Sequence, residues 1–343
     1  MLQVKYYPFE LAFKYPFTTY KGTKTHQPVL VVVLATRGLF GLGEVGAISY
    51  YDVTLESMMA ELDNKRHAIE RYAMTNPERF WHFLHHLMPG QNFLMAALDI
   101  AAWDLFSKMR GKPLYEVLGL KWDNVPITDY TIGIDTPEEM LQKLKANPWP
   151  LYKVKMGRPD DIDTVRAIRN NTNAAIRVDA NEGWNFDEAK QILPELVKLG
   201  VQMVEQPLHR NATEEQKELK VISPLPLYAD ESCREEKDVR LCAEGFHGVN
   251  IKLTKCGGIT PALRMIDEAK KLGLKTMIGA MCEATIGSAA IANLIPLLDE
   301  LDADGPLLLK EDIATGLTYN NGFIRLSGEP GLGVRFAGKK FEK

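Results

Sequence analysis

Five charged residues recur at the ends of short apolar runs along this chain: Lys155, Asp179, Glu205, Asp230 and Lys252, in that order. A single charge at a strand end is commonplace, but a succession running cation, anion, anion, anion, cation points to chemistry. Two positions before the first of them stands Lys153, and residues i and i+2 of a β-strand share a face. Three carboxylates that converge repel one another and rise in pKa unless a cation sits among them. The donors here are all hard oxygens. The seven histidines (His26, His67, His82, His85, His86, His209, His247) fall outside the set, and the four cysteines have no CxxC spacing. Such a donor set suits Mg²⁺, with Mn²⁺ as a substitute, better than Zn²⁺.

If the strands that carry these residues stand side by side in a closed barrel, Lys155 and Lys252 lie on opposite sides of whatever the metal holds. That arrangement moves a proton across a carbon. A carbon acid beside a carboxylate is very weak, and the dianionic enolate formed from it needs concentrated positive charge. The lysine that removes the proton must be neutral near pH 7, far below its ordinary value, and both Lys153 and the metal act in that direction for Lys155.

From about residue 126 the chain alternates short apolar strands with amphipathic helices. Strands are expected at 127–132, 151–155, 175–179, 202–205, 227–230, 248–252, 275–279 and 301–304. Eight strands at this spacing are what a parallel (β/α) barrel requires, with its site at the strands' C-terminal ends. The alternative, an open doubly wound sheet, usually carries a glycine-rich phosphate turn after its first strand, and none stands here. Before the barrel, residues 1–50 read as three strands with a loop at 16–27, and helical periodicity follows at 54–73, 77–87 and 92–109. After it, LTYNNGFIRLS reads as a short strand pair.

The chain has 343 residues, 45% hydrophobic and 25% charged, with a formal net charge of -4. Its basic residues are dispersed, so no nucleic-acid footprint is present, and no run of 18 apolar residues suggests a membrane span. Without a signal-peptide pattern and with unpaired cysteine spacing, the expected compartment is the cytoplasm.

Taken together, Lys153-Val154-Lys155, Val178-Asp179-Ala180-Asn181-Glu182-Gly183-Trp184, Val204-Glu205-Gln206-Pro207, Ala229-Asp230-Glu231-Ser232 and Asn250-Ile251-Lys252 resemble the enolase superfamily, in its muconate-cycloisomerase-like subgroup. The resemblance implies a modified (β/α)7β barrel, an α/β fold, with an α+β capping domain. It divides the chain into a capping domain at 1–122, a catalytic barrel at 123–317 and a segment at 318–343 that packs back on the capping domain. It implies Mg²⁺ on Asp179, Glu205 and Asp230, and Lys155 and Lys252 as the acid/base pair. No catalytic histidine stands on the seventh strand, which disfavours the mandelate-racemase-like branch.

Within the two-lysine subgroup, Asp302-Ala303-Asp304 resembles the D-x-D signature of dipeptide epimerases, whose paired acids hold the free α-ammonium. The expected reaction is therefore an isomerisation: epimerisation of the C-terminal residue of an Ala-Xaa dipeptide, a small-molecule substrate. A succinylbenzoate synthase, an N-acylamino-acid racemase or a cycloisomerase is the alternative, and a non-catalytic scaffold the distant one. Thr131, Ala280 and Cys282 match further substrate-contacting positions of the family. In the capping loop, Gly22 stands where members that prefer Ala-Glu have arginine, with Lys21 beside it. Lys21 lacks the bidentate geometry of arginine, so the expectation leans to a small or hydrophobic Xaa over glutamate. Association into a homo-oligomer is expected of such barrels.

Overall fold

The computed structural model describes residues 1–337; of the C-terminal segment expected at 318–343, residues 338–343 lie outside the described residues. Strands β1 (Gln3–Thr19), β2 (Gly22–Thr36) and β3 (Leu39–Gly46) form an antiparallel sheet in that order. The run Val29 to Leu34 in β2 is apolar on both faces because both are covered. Val29, Val31 and Val33 pack toward the barrel, while Leu30, Val32 and Leu34 pack toward the helices of the N-terminal unit.

The stretch 16–27, expected as a loop, is instead the far end of the β1–β2 hairpin. Phe17 pairs with Lys24 and Thr19 with Gly22, beyond a register break between Ala12 and Phe17. Pro16 falls inside that break, where it interrupts no ladder bond, and Gly22 supplies the positive φ of 131° at the turn. Proline and glycine thus punctuate a hairpin here without ending it.

Three helices follow: α1 (Leu55–Arg71), α2 (Pro77–Leu87) and α3 (Asn92–Met109). Thr54 closes a capping box on α1, and Asn76 caps α2 ahead of Pro77. The α3 helix is buried on nearly every side, as its uniformly apolar sequence requires. It presses so closely on β3 that a Cβ at Gly43 would lie 1.8 Å from the Ala97 carbonyl oxygen.

The barrel strands are β4 (Tyr130–Ile132), β5 (Leu151–Lys155), β6 (Ala175–Asp179), β7 (Val201–Glu205), β8 (Leu227–Ala229), β9 (Gly248–Ile251), β10 (Lys275–Gly279) and β11 (Glu300–Asp302). They form one eight-stranded sheet with neighbours in chain order, all parallel. A parallel bridge between Thr128 and Leu301 closes the ring. The first and last strands are shorter than expected, since Thr128 makes only this bridge and Asp304 turns into the helix Gly305–Leu308. No helix among the described residues is long and apolar enough to cross a membrane.

Buried carboxylates of the N-terminal unit cap two barrel helices. Glu44 on β3 accepts Ala284 N at 2.7 Å and Gly287 N at 2.8 Å, at the start of the helix Thr285–Ala292. Asp99 on α3 accepts Thr260 N at 2.9 Å and its Oγ1 at 2.7 Å, at the start of the helix Ile259–Lys271. A carboxyl oxygen at a helix N-terminus satisfies orphan amides. A third carboxylate, Asp104, holds Leu42 N on one oxygen and Leu332 N on the other, so α3 also fastens the segment around Leu332.

Burial pushes Glu44 up to about 8 and Asp99 up to about 7, although the amides pull both down. These folded values exceed the ordinary carboxylate value of about 4, so the folded protein holds protons that the unfolded chain has released. The stability they contribute is complete below about pH 4 and is lost as pH rises through the folded values. Between pH 6 and 9 the urea midpoint of the wild type should therefore fall more than that of Glu44→Gln, which cannot titrate; parallel curves would refute the assignment.

Candidate active site

All five residues of β5 are buried, and Lys153 and Lys155 point from one face into the barrel. The register sets Lys155 beside Asp179 and Asp179 beside Glu205, so a lysine and two acids share one level across three strands. Asp230 and Lys252 follow the last residues of β8 and β9, at the same end of the barrel. Oxygens of Asp179, Glu205 and Asp230 all lie within 4.8 Å of one another, each residue 2% exposed or less.

Four lysines balance these three acids. Lys155 Nζ lies 2.5 Å from Asp179 Oδ2, and Lys252 Nζ lies 2.8 Å from Asp230 Oδ2. Lys255 Nζ reaches Asp230 Oδ1 at 2.6 Å, and Lys153 Nζ lies 2.8 Å from Glu205 Oε2. Burial works to raise the Asp230 carboxyl, but Lys252 and Lys255 overturn it and hold the group far below the usual range. Burial likewise works to lower Lys252, and Asp230 and Glu205 outweigh it, so this ammonium is held high.

The acids fit a divalent cation. Lys153 contacts Glu205 Oε2 off the hydrogen-bond direction, which leaves that fully buried oxygen without a donor and close to oxygens of Asp179 and Asp230. Asn250 Nδ2 donates to the other oxygen, Glu205 Oε1, at 2.7 Å and so fixes the carboxylate's orientation. Three hard anionic ligands oriented by second partners are the donor set of Mg²⁺.

A cavity of roughly 230 Å³ lies between the barrel mouth and the β1–β2 hairpin. Lys155, Asp230, Lys252, Asp302, Asp304, Thr131, Ala280 and Cys282 line it, whereas Lys153, Asp179 and Glu205 sit beneath its floor. Asp302 Oδ2 accepts from Lys153 Nζ at 2.7 Å, and Asp304 Oδ2 accepts from Thr131 N at 2.6 Å. Lys153 therefore bridges the acid cluster and the Asp302 end. Although burial works to lower it, Asp302 and Glu205 hold Lys153 well above its ordinary value. Four non-glycine residues at these strand ends, Asn181, Glu182, Gln206 and Cys282, adopt positive φ, strain of the kind that concentrates at functional sites.

Some neighbours escaped the sequence reading. Asn250 was accessible to it, two residues before Lys252 on the same strand face. Lys255 depends on the helix Leu253–Cys256, which turns it back onto Asp230. Asp129, fully buried, stands within 4.8 Å of oxygens of Asp302 and Asp304. Lys21 lines the cavity while it pairs with Glu182 and lies 4.1 Å from the centre of the Tyr50 ring. His86 is exposed and the His85 ring stacks on Trp81 at 5.0 Å; neither lines the cavity.

This architecture and acid cluster have a counterpart in known families. Residues 2–119 match the mandelate racemase / muconate lactonizing enzyme N-terminal domain, and residues 136–340 match the enolase C-terminal domain-like family. The chain belongs to this enolase-like family. Within it, the chain is 45% identical over 326 residues to an L-Ala-D/L-amino acid epimerase of Flavobacterium johnsoniae, covering 95% of this chain and 97% of that one. It is similar to the dipeptide epimerase of Cytophaga hutchinsonii complexed with Mg and D-Ala-L-Val, with a TM-score of 0.94 at 27% identity over 99% of this chain and 97% of that one. The substrate-liganded L-Ala-D/L-Glu epimerase of Bacillus subtilis gives 0.92 at 28% identity, over 97% and 98% of the two chains.

The Asn250 contact yields a prediction. Asn250→Ala should weaken Mg²⁺ binding by about 10- to 100-fold, the usual effect of losing a partner that orients a ligand. Calorimetric titration of the two proteins measures this directly, and equal affinities would show that Glu205 needs no such support.

Proposed function

We propose that the protein is an Mg²⁺-dependent dipeptide epimerase, with Mn²⁺ as a substitute, that inverts the α-carbon of the C-terminal residue of an Ala-Xaa dipeptide. One arrangement carries the reading: Lys155 and Lys252 stand at opposite members of the acid cluster, Asp179 and Asp230, while Asp302 and Asp304 line the cavity on the β11 side. The site thus offers a cation site, two proton carriers and an ammonium receptor. A dipeptide zwitterion presents the matching groups in the matching order. The names of the relatives support the same substrate class.

A divalent cation held by Asp179, Glu205 and Asp230 supplies the positive charge that an enolate beside a carboxylate requires. Lys153, beneath the floor and between Glu205 and Asp302, adds a fixed ammonium to that end and keeps it positive. Asp302 and Asp304 receive the dipeptide's ammonium, and Thr131 orients Asp304 through its backbone amide. One lysine, neutral, takes the α-hydrogen as a proton, and the C–H electron pair moves into the carboxylate to give the enolate. The ammonium of the other lysine then returns a proton to the opposite face. Each turnover swaps the protonation of Lys155 and Lys252, and exchange with solvent resets them. Ala280 and Cys282, on the loop after β10, line the same cavity.

Either Lys155→Ala or Lys252→Ala should reduce epimerisation by about 10³-fold or more, since each removes a proton carrier. Each single mutant should still exchange the α-hydrogen of one stereoisomer for deuterium in D₂O. Chelation should abolish activity and added Mg²⁺ should restore it. A dipeptide library scored by deuterium uptake tests the reaction class. Uptake into N-acylamino acids but into no free dipeptide would favour a racemase of the same subgroup.

A further inference from the structure

Asp129 precedes β4 and is fully buried in the barrel, below the cavity. Among the described residues no hydrogen-bond donor reaches either of its carboxylate oxygens. The nearest cation, Arg177 Nη1 on β6, stands 3.5 Å from Oδ2 off the hydrogen-bond direction, and Arg177 is already paired with Glu300. A barrel interior is ordinarily filled with branched apolar side chains, and a buried carboxylate without donors is costly. What Asp129 does have is company of its own sign: its oxygens and those of Asp302 and Asp304 all lie within 4.8 Å of one another.

The charges here do not balance. Among the described residues, the acids Asp129, Asp302 and Glu300 share ion pairs with two cations, Lys153 and Arg177, and Asp304 stands beside Asp129 and Asp302. Lys153 is shared with Glu205 and Asp179; Lys252 and Lys155 act on Asp302 from farther off. Without Asp129, Lys153 would largely cancel Asp302 and leave Asp304 as the sole anion for an incoming ammonium. We propose that Asp129 is a third carboxyl group of the ammonium receptor, a positioning residue that acts through Asp302 and Asp304 and becomes anionic when a substrate ammonium enters that end of the cavity. The inference rests on the reading that Asp302 and Asp304 receive a dipeptide's ammonium. Burial, and then Asp302, push the Asp129 carboxyl well above the usual range, against Arg177 and Lys153, so before an ammonium arrives it holds a proton for want of one positive charge. The substrate's ammonium is that charge. Asp129 does not line the cavity, so it selects for the charge of the N-terminus and makes no contact with the side chains.

The test compares L-Ala-L-Glu and L-Ala-L-Leu with their N-acetylated counterparts, which lack the ammonium, as substrates or competitive inhibitors of the wild type and of Asp129→Asn. The amide keeps the shape and removes the charge. The wild type should prefer the free dipeptides, and Asp129→Asn should shrink that preference by about tenfold or more, through KM, with kcat within about threefold. An unchanged ratio, whether or not the variant melts earlier, would overturn the proposal and leave Asp129 as a core partner of Arg177. If Asp129→Asn does not fold, Arg177→Gln gives the opposite reading: removal of the opposing cation should widen the preference, and no change there overturns the proposal equally. A wild type that binds free and acetylated forms alike would instead overturn the ammonium reading of Asp302 and Asp304.

Discussion

Everything in this molecule turns on holding like charges together out of water. Asp179, Glu205 and Asp230 converge within 4.8 Å at the barrel's centre, almost without exposure. Left alone, such a cluster would take up protons or drive the strands apart. The chain answers with cations from four positions: Lys153 and Lys155 from one strand, Lys252 and Lys255 from the turn after another. Each is buried, and each has its head on an acid. Two of these cations, Lys155 and Lys252, are on the proposed function also the groups that carry protons at the cluster's edge. Structural necessity and catalytic capacity therefore fall on the same side chains.

The same use of buried carboxylates joins the two parts of the molecule. Glu44 and Asp99 leave the N-terminal unit to cap barrel helices, and Asp104 ties the segment around Leu332 to α3. These contacts fix β3 and α3 against the barrel, and through the continuous sheet they fix the β1–β2 hairpin over the cavity. The hairpin tip is secured in turn by Lys21 on Glu182, a strand-end residue in strained backbone. Cavity shape thus depends on ion pairs well outside the acid cluster.

Much of this was legible in the sequence because barrel strands obey a simple rule: side chains alternate, and the last polar residue of each strand faces the site. Lys153, Lys155, Asp179, Glu205, Asp230 and Lys252 could be located from that rule. Lys255 could not, since its approach to Asp230 depends on one turn of helix after β9. Asp129 also escaped: it stands two residues before Thr131 on the expected strand, but its meaning comes from two residues more than 170 positions away. The hairpin was misread as a loop for a related reason. Pro16 and Gly22 are turn residues, but a register break lets a strand keep its proline.

The bridging position of Lys153 links the two ends of the cavity. Its ammonium lies 2.8 Å from Glu205 and 2.7 Å from Asp302, so one rigid strand sets the distance between the acid cluster and the D-x-D pair. Because β5 is hydrogen-bonded on both sides and buried along its whole length, that distance cannot adjust to a longer substrate. A ligand that engages both ends must therefore match a fixed span between carboxylate and ammonium. On the proposed function, selection for a two-residue zwitterion follows from the barrel frame, and the hairpin residues that line the cavity are left to meet the side chains.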